Sequence, residues 1–151
     1  MAGLDLPHGH FMSAHGPILI IEDDEDDQYM INLSLERLNV SNPRLFFSNG
    51  QEALTYLEVT TELPFLILCD VNMPLMNGLE LRQCITDNET LKRKSIPFVF
   101  FTTASNPELV RAAYDETVQG FFKKSTTFGS LQEQIGLIIA YWQNCLHPNN
   151  C

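Results

Sequence analysis

Charged and hydroxyl side chains stand where several apolar runs of this chain end. Asp70 follows five apolar residues and precedes a turn rich in proline and glycine. The other such side chains are the acids Glu22 and Asp23, the hydroxyl of Thr102 and the ammonium of Lys124. If the apolar runs are neighbouring parallel strands, their carboxyl ends form one crevice, where ligands of open parallel sheets bind. We therefore expect these groups to share one site.

Carboxylates crowded into one crevice repel one another unless a cation lies between them. A hard divalent cation is the simplest way to hold Glu22, Asp23 and Asp70 together, because such ions prefer oxygen ligands. Mg²⁺ fits best, because it commonly keeps several waters and takes only one or two carboxylates together with phosphate oxygens. The acids therefore predict a magnesium site at the strand ends.

The elements that must position these groups alternate along the chain as strands and helices. Short apolar runs predict strands at about 17–22, 44–48, 65–70, 97–102 and 120–123. Amphipathic spacing predicts a helix capped by Asp26 or Asp27 and ending near Asn39, and further helices at 50–58, 78–88, after Asn106 and at about 130–146. The polar stretch up to Ser95 reads as a connecting loop. Right-handed crossovers then give a doubly wound α/β fold, with helices on both faces of a five-stranded parallel sheet.

Length and composition restrict the classes of function. The chain has 151 residues, which fits one domain, and a formal net charge of -10 with a pI near 4.6. This charge argues against binding to nucleic acid or to an anionic membrane surface. The four cysteines show no metal-ligand spacing, and the sequence has neither a bilayer-spanning run nor a signal peptide. We expect a cytoplasmic protein whose first 16 residues are a flexible tail or a segment left from cloning.

The chain from about residue 18 to 146 resembles the receiver domain of two-component response regulators. The resemblance rests on Glu22-Asp23 after the first strand, on Asp70 followed by Met73-Pro74 and Gly78, and on Thr102 and Lys124. It implies a flavodoxin-like (βα)5 receiver fold with strand order 2-1-3-4-5, spanning residues 17–147 and followed by a short tail at 148–151.

The resemblance also implies a role for each site residue. Asp70 would accept a phosphoryl group from a sensor histidine kinase or a histidine phosphotransfer protein. Glu22, Asp23, Asp70 and the backbone carbonyl of Asn72 would bind Mg²⁺, with Mn²⁺ as a possible substitute. Thr102 would hydrogen-bond the phosphoryl group, and Lys124 would pair with Asp70 before phosphorylation and with the phosphoryl oxygens afterwards. Thr102 and Phe121 would form the switch.

The same resemblance implies a single-domain signalling protein. Its only chemistry would be its own aspartyl phosphorylation and dephosphorylation. Only a few residues follow the last predicted helix, so output would pass through a protein partner or a homodimer.

Two positions depart from the family pattern. Phe121 stands where many receivers have tyrosine, so the aromatic switch lacks a phenolic hydroxyl. Ser125 stands where proline is usual, and a cis bond there would cost about 2.5–4 kcal/mol without proline. The conformation of the Lys124–Ser125 bond therefore stays open at this point. Lys123 leaves a second ammonium beside Lys124, and strand alternation turns Lys123 to the opposite face.

Two other classes of function are compatible with part of the pattern. Phosphatases of the haloacid dehalogenase type also use a strand-end aspartate with Mg²⁺, but they place a second aspartate where this chain has Asn72. A receiver-like binding module that is never phosphorylated is the other alternative. Such modules usually lose the acids or the lysine, and this chain has all of them.

Overall fold

The core of the fold is a five-stranded parallel sheet in the order β2-β1-β3-β4-β5, as revealed by a computed structural model that describes residues 15–150. The strands are β1 (Ile18–Ile21), β2 (Arg44–Phe47), β3 (Leu66–Cys69), β4 (Phe98–Thr102) and β5 (Gly120–Lys123). The strand order and the doubly wound α/β class predicted from the sequence are confirmed.

The three central strands are apolar at nearly every position because both faces of the sheet are covered. All residues of β1, β3 and β4 are buried. One face, with Leu19 and Phe100, packs against helices that carry Leu57 and Leu81. The other face packs against the helices at the two ends of the described chain, as seen for Ile135 in the second core cluster. This double cover fixes the sheet and leaves its carboxyl edge free to form a site.

Within residues 15–150, six α-helices follow the strands or connect them. Their bounds are α1 (Glu25–Arg37), α2 (Gly50–Val59), α3 (Gly78–Asp87), α4 (Glu89–Arg93), α5 (Pro107–Asp115) and α6 (Phe128–Asn144). A side chain caps the amino end of each one, and these caps are Asp24, Asn49, Asn77, Asn88, Asn106 and Thr127. Such caps satisfy amide groups that have no partner within the helix.

Three local predictions were wrong. The cap of α1 is Asp24, whose carboxylate accepts the amides of both residues that had been predicted as caps. The stretch before Ser95 is not all loop, because Asn88 ends α3 and also caps the short helix α4, which buries Leu91. Helix α6 begins two residues earlier than expected, because the Thr127 hydroxyl accepts the amide of Ser130.

The predicted tail at 1–16 lies outside the described residues except for its last two. None of the helices between residues 15 and 150 combines the length and the apolar character needed to cross a bilayer.

The segment after α6 packs against the amino end of β3. His147 is 2% exposed, and its ring stacks on Phe65 with centroids 5.5 Å apart. The amide of Asn149 donates to His147 Nδ1 at 3.2 Å, so Nε2 carries the proton that is donated to the Phe65 carbonyl at 2.8 Å. The arrangement fits the neutral imidazole, and burial lowers the pKa of His147 below its ordinary value of 6.5.

We expect the burial of His147 to make the fold less stable in mild acid. The unfolded chain binds a proton at this residue near pH 6.5 and the folded chain binds it only at lower pH, so the stabilisation is present above pH 6.5 and is lost as the pH falls. One such group changes the free energy of unfolding by at most about 1.4 kcal/mol per pH unit. Urea unfolding of the protein and of His147→Gln from pH 7.5 to 5 measures this. If the free energy of unfolding varied with pH in the same way in both proteins, His147 would not be the residue responsible.

Candidate functional site

Asp70 is the first residue after β3 and lies half-buried at the carboxyl edge of the sheet. Its amide donates to the Ile21 carbonyl at 2.9 Å, which fixes Asp70 beside the end of β1. One carboxylate oxygen, Oδ1, accepts the amide of Val71 at 2.8 Å. The other oxygen has no protein partner among residues 15–150, so it is the atom of Asp70 that is open to a ligand.

The loop after Asp70 depends on glycine at position 78. The Gly78 amide donates to the Val71 carbonyl at 2.9 Å, which closes the loop onto the start of α3. A Cβ at this position would lie 2.3 Å from the Asp70 carbonyl oxygen and 2.7 Å from the Phe100 ring. Phe100 lies in β4 and the Asp70 backbone is hydrogen-bonded to the end of β1, so neither neighbour can move away easily.

We expect Gly78→Ala to lower the free energy of unfolding by about 1–3 kcal/mol, which is the usual cost of overpacking. Gly129→Ala is the matched control, because a Cβ there meets nothing within 4 Å. Gly129 lies in α6, so alanine should be neutral or stabilising by up to about 1 kcal/mol. Chemical denaturation of both variants makes the comparison, and equal stabilities would contradict the packing argument.

Three acids meet at the ends of β1 and β3. One carboxylate oxygen each from Glu22, Asp23 and Asp70 lies within 4.8 Å of the others. Glu22 is buried, and burial raises its pKa from the ordinary 4.5 to about 7, against the opposing effect of Lys124. Asp23 is exposed, and its carboxylate accepts no hydrogen bond from the described part of the chain. The three acids that the sequence predicted to share a site are therefore neighbours.

Lys124 lies directly after β5 and is only 6% exposed. Its ammonium hydrogen-bonds Glu22 Oε1 and also lies 2.9 Å from Asp27 Oδ2. Burial lowers the pKa of Lys124, but the hydrogen bond to Glu22 and the neighbouring acids outweigh this, so the pKa lies above its ordinary value. The expected pairing with Asp70 is wrong in this state. The buried Glu22 carboxylate needs a counter-ion more than Asp70, which is half-exposed and already accepts an amide.

The remaining predicted residues surround this edge. Thr102 ends β4, is completely buried, and accepts the Ala104 amide on Oγ1 at 3.3 Å. Phe121 is half-buried in β5, and its ring centroid is 5.8 Å from that of Phe100. Asn72 is exposed, and none of the backbone hydrogen bonds between residues 15 and 150 ends on its carbonyl. Lys123 is exposed, whereas Lys124 is buried.

The loop that carries Lys124 is held by Gln134 of α6. The Ser125 amide donates to Gln134 Oε1 at 3.0 Å, and Gln134 Nε2 donates to the Lys123 carbonyl at 2.7 Å. The Lys124–Ser125 bond is trans, since no cis peptide bond occurs between residues 15 and 150. The sequence alone had left the conformation of this bond open.

Sequence reasoning missed two residues that contact the pair formed by Lys124 and Glu22. Asp27, considered only as a helix cap, is the second acid bound to Lys124. Gln28 donates its side-chain amide to the Glu22 carbonyl at 2.6 Å. Residues 22–27 are all acidic, so composition could not show which of them faces the strand ends. The position of Asp27 in the first turn of α1, which follows β1 directly, was the available signal.

Comparison with known proteins gives a family for this fold and site. The family model described as "Response regulator receiver domain" matches residues 18–136. The probable methanogenesis regulatory protein FilR2 of Methanothrix harundinacea is 30% identical over 93% of this chain and 92% of its own length. Response regulator Rcp1 of Synechocystis is 30% identical over 83% of this chain and 87% of its own.

Solved structures agree with this match. The phosphorylated cyanobacterial phytochrome response regulator RcpA superposes with a TM-score of 0.77 at 28% identity, over 86% of this chain and 95% of that chain. The Mn²⁺-bound form of Rcp1 superposes with a TM-score of 0.75 at 29% identity, over 85% of this chain and 94% of that chain. The protein described here therefore belongs to the response regulator receiver domains of two-component signalling.

Proposed function

We propose that this protein accepts a phosphoryl group on Asp70 in a reaction that depends on Mg²⁺, and that it signals through contacts with other proteins. The observation that carries this proposal is the position of the Asp70 carboxylate, which has one open oxygen and lies beside two further acids, one of which binds the buried ammonium of Lys124. The donor would be a sensor histidine kinase or a histidine phosphotransfer protein, as is general for receiver domains.

The donor set fits a hard divalent cation. Asp23 and Asp70 each have a carboxylate oxygen without a protein partner among residues 15–150, and the exposed Asn72 carbonyl adds a neutral oxygen. Both oxygens of Glu22 accept hydrogen bonds, from Lys124 and from the Asp24 amide, but each has a second lone pair and Glu22 remains in the proposed ligand set. Bound Mg²⁺ would supply positive charge next to the transferring phosphoryl oxygens. The Mn²⁺-bound form of Rcp1 supports this choice of ion class.

The chain's own residues would carry the transfer as follows. The open oxygen of Asp70 attacks phosphorus, the P–O bond forms, and the P–N bond to the donor imidazole breaks. Lys124 exchanges its hydrogen bond with Glu22 for one with a phosphoryl oxygen. Thr102 Oγ1, which accepts only the Ala104 amide from the described residues, turns its hydroxyl proton towards another phosphoryl oxygen. The added charge would then favour inward positions of Thr102 and Phe121.

We further propose that the protein has no conventional enzymatic activity on other molecules, apart from hydrolysis of its own aspartyl phosphate. Attachment to nucleic acid or to a membrane is not expected at a net charge of -10. A homodimer and a cytoplasmic location stay predictions from the sequence.

Intact-mass measurement tests the function directly. After incubation with acetyl phosphate and Mg²⁺, the protein should gain the mass of one phosphoryl group. The same mixture with excess chelator should show no gain. If no gain occurs with the metal present, the phosphorylation-independent binding module becomes the better account.

Asp23 should be the principal side-chain ligand for the metal besides Asp70, because it is the exposed acid of the three. We expect Asp23→Ala to weaken Mg²⁺ or Mn²⁺ binding at least tenfold, about 1.4 kcal/mol. Asp26→Ala is the matched control, since it removes an equal charge from an exposed acid of the same run. Calorimetric titration gives both affinities, and equal weakening in the two variants would show that only net charge matters.

A further inference from the structure

A second candidate binding site lies at the sheet edge opposite Asp70. A cavity of about 270 Å³ lies below the amino ends of β3 and β4, between α3, α4 and the turn before β5. Ile85, Leu91 and Ile96 form its apolar wall, and Arg82 and Lys92 line it with positive charge. Nothing in the proposed phosphoryl chemistry uses this cavity.

Arg82 is a largely buried cation that forms no salt bridge within residues 15–150, although the nearby Glu116 carboxylate favours its charged form. It is 8% exposed, and its guanidinium lies over the Phe98 ring, 5.2 Å from the centroid. Nε and Nη2 donate to the carbonyls of Glu116 and Thr117, each at 3.0 Å. Nη1 has no hydrogen bond to any residue between 15 and 150, and none of the ion pairs in this range includes Arg82. Nη1 is therefore the guanidinium atom that is open to an anion entering the cavity.

A basic segment of this acidic protein lies beside the cavity, and Lys92 is its one residue that lines the cavity. Residues 92–94 supply three of the nine Lys and Arg side chains. Two of them are engaged, because Arg93 pairs with Glu89 at 3.8 Å and the Lys94 ammonium donates to carbonyls at the end of α2. Lys92 is exposed and has no ion pair in the described part of the chain, so its ammonium can meet an anion that enters the cavity.

The volume limits the size of the occupant. An apolar cavity of about 150 Å³ holds benzene, so about 270 Å³ accommodates roughly ten non-hydrogen atoms. Three apolar side chains on one wall require a ligand with an apolar body. The guanidinium of Arg82 and the ammonium of Lys92 favour a negative group at one end of the ligand.

We propose that this cavity binds a small organic carboxylate, with its carboxylate on Arg82 Nη1 and Lys92 and its apolar body against Ile85, Leu91 and Ile96. The site is separate from Asp70, so the two can be tested independently. A ligand held here would bridge α3, α4 and the turn before β5.

Benzoate is the probe, and uncharged benzamide is its matched control. We expect benzoate to shift backbone amide resonances around the cavity, with a dissociation constant of about 10 mM or below for a ligand of this size. Benzamide should bind at least tenfold more weakly. Equal affinity for the two probes, shifts centred on Lys123 and Lys124, or no binding of benzoate would each overturn the proposal.

Substitutions in the cavity test separately whether binding depends on its positive charge and whether it depends on its free volume. Lys92→Gln should weaken benzoate binding at least threefold, while Arg93→Gln, whose side chain does not line the cavity, should leave it unchanged. Thr86→Trp should abolish binding by filling the cavity from its half-buried rim without removing a core residue. Asp70→Asn should bind benzoate as the unaltered protein does. An unchanged affinity in both Lys92→Gln and Thr86→Trp would place the benzoate elsewhere and contradict the site.

Discussion

Asp70→Asn is expected to abolish the phosphoryl mass gain completely. The amide cannot act as the attacking carboxylate, and Asp70 is the predicted site acid that directly follows a central strand and has an open oxygen. The replacement keeps the shape of the side chain, and Asn can still accept the Val71 amide. Folding should therefore be retained, and circular dichroism together with unfolding in urea checks this.

The matched control is Asp87→Asn, which removes the same charge from an exposed residue at the end of α3. It should gain one phosphoryl group at the rate of the unaltered protein. If Asp70→Asn gains a phosphoryl group at that same rate, another residue is the acceptor and the assignment fails.

Lys124→Met should give the second large effect, on both stability and signalling. Removing one partner of a buried ion pair costs about 3–5 kcal/mol, because Glu22 loses the ammonium that compensates its charge. Protonation of Glu22 offsets part of this, so we expect a loss of about 3 kcal/mol in the free energy of unfolding. The variant should still accept phosphoryl at a reduced rate. Phosphorylation of this variant should no longer alter the conformation of β5.

Lys123→Met is the control, because Lys123 is exposed and belongs to none of the ion pairs of residues 15–150. Its stability should change by no more than about 0.5 kcal/mol. Amide spectra with and without Mg²⁺ and beryllofluoride should show shifts along β5 in Lys123→Met and not in Lys124→Met. The reverse pattern would exchange the roles of the two lysines.

The sheet could be predicted from the sequence because its strands are buried on both faces. Runs such as Ile18–Ile21 and Phe98–Phe101 are apolar throughout, which a half-buried strand or a surface helix would not be. Helix ends were less predictable where several residues could serve as the cap. Three candidates close together in the sequence, Asp24, Asp26 and Asp27, have the same side-chain chemistry, and only the backbone direction after β1 selects Asp24 as the cap.

The members of the site could be predicted, but their pairing could not. Strand ends place Glu22, Asp70 and Lys124 at one edge whatever their exact conformations. The partner of Lys124 depends on the burial of each acid, which the sequence does not give: Glu22 is 2% exposed, whereas Asp70 is only half-buried. Gln134 lies nine residues beyond Ser125, and no spacing rule connects a helix glutamine with this loop.

The central claim, that Asp70 carries the phosphoryl group, is tested most directly by locating the modified residue in the unaltered protein. Reduction of the phosphorylated protein with borohydride converts an aspartyl phosphate to homoserine, and trypsin then releases residues 45–82, in which Asp70 is the only aspartate. We expect tandem mass spectrometry to find homoserine at position 70, only after treatment with acetyl phosphate and Mg²⁺. Homoserine at Asp23 or at any other aspartate, with position 70 unchanged, would contradict the account.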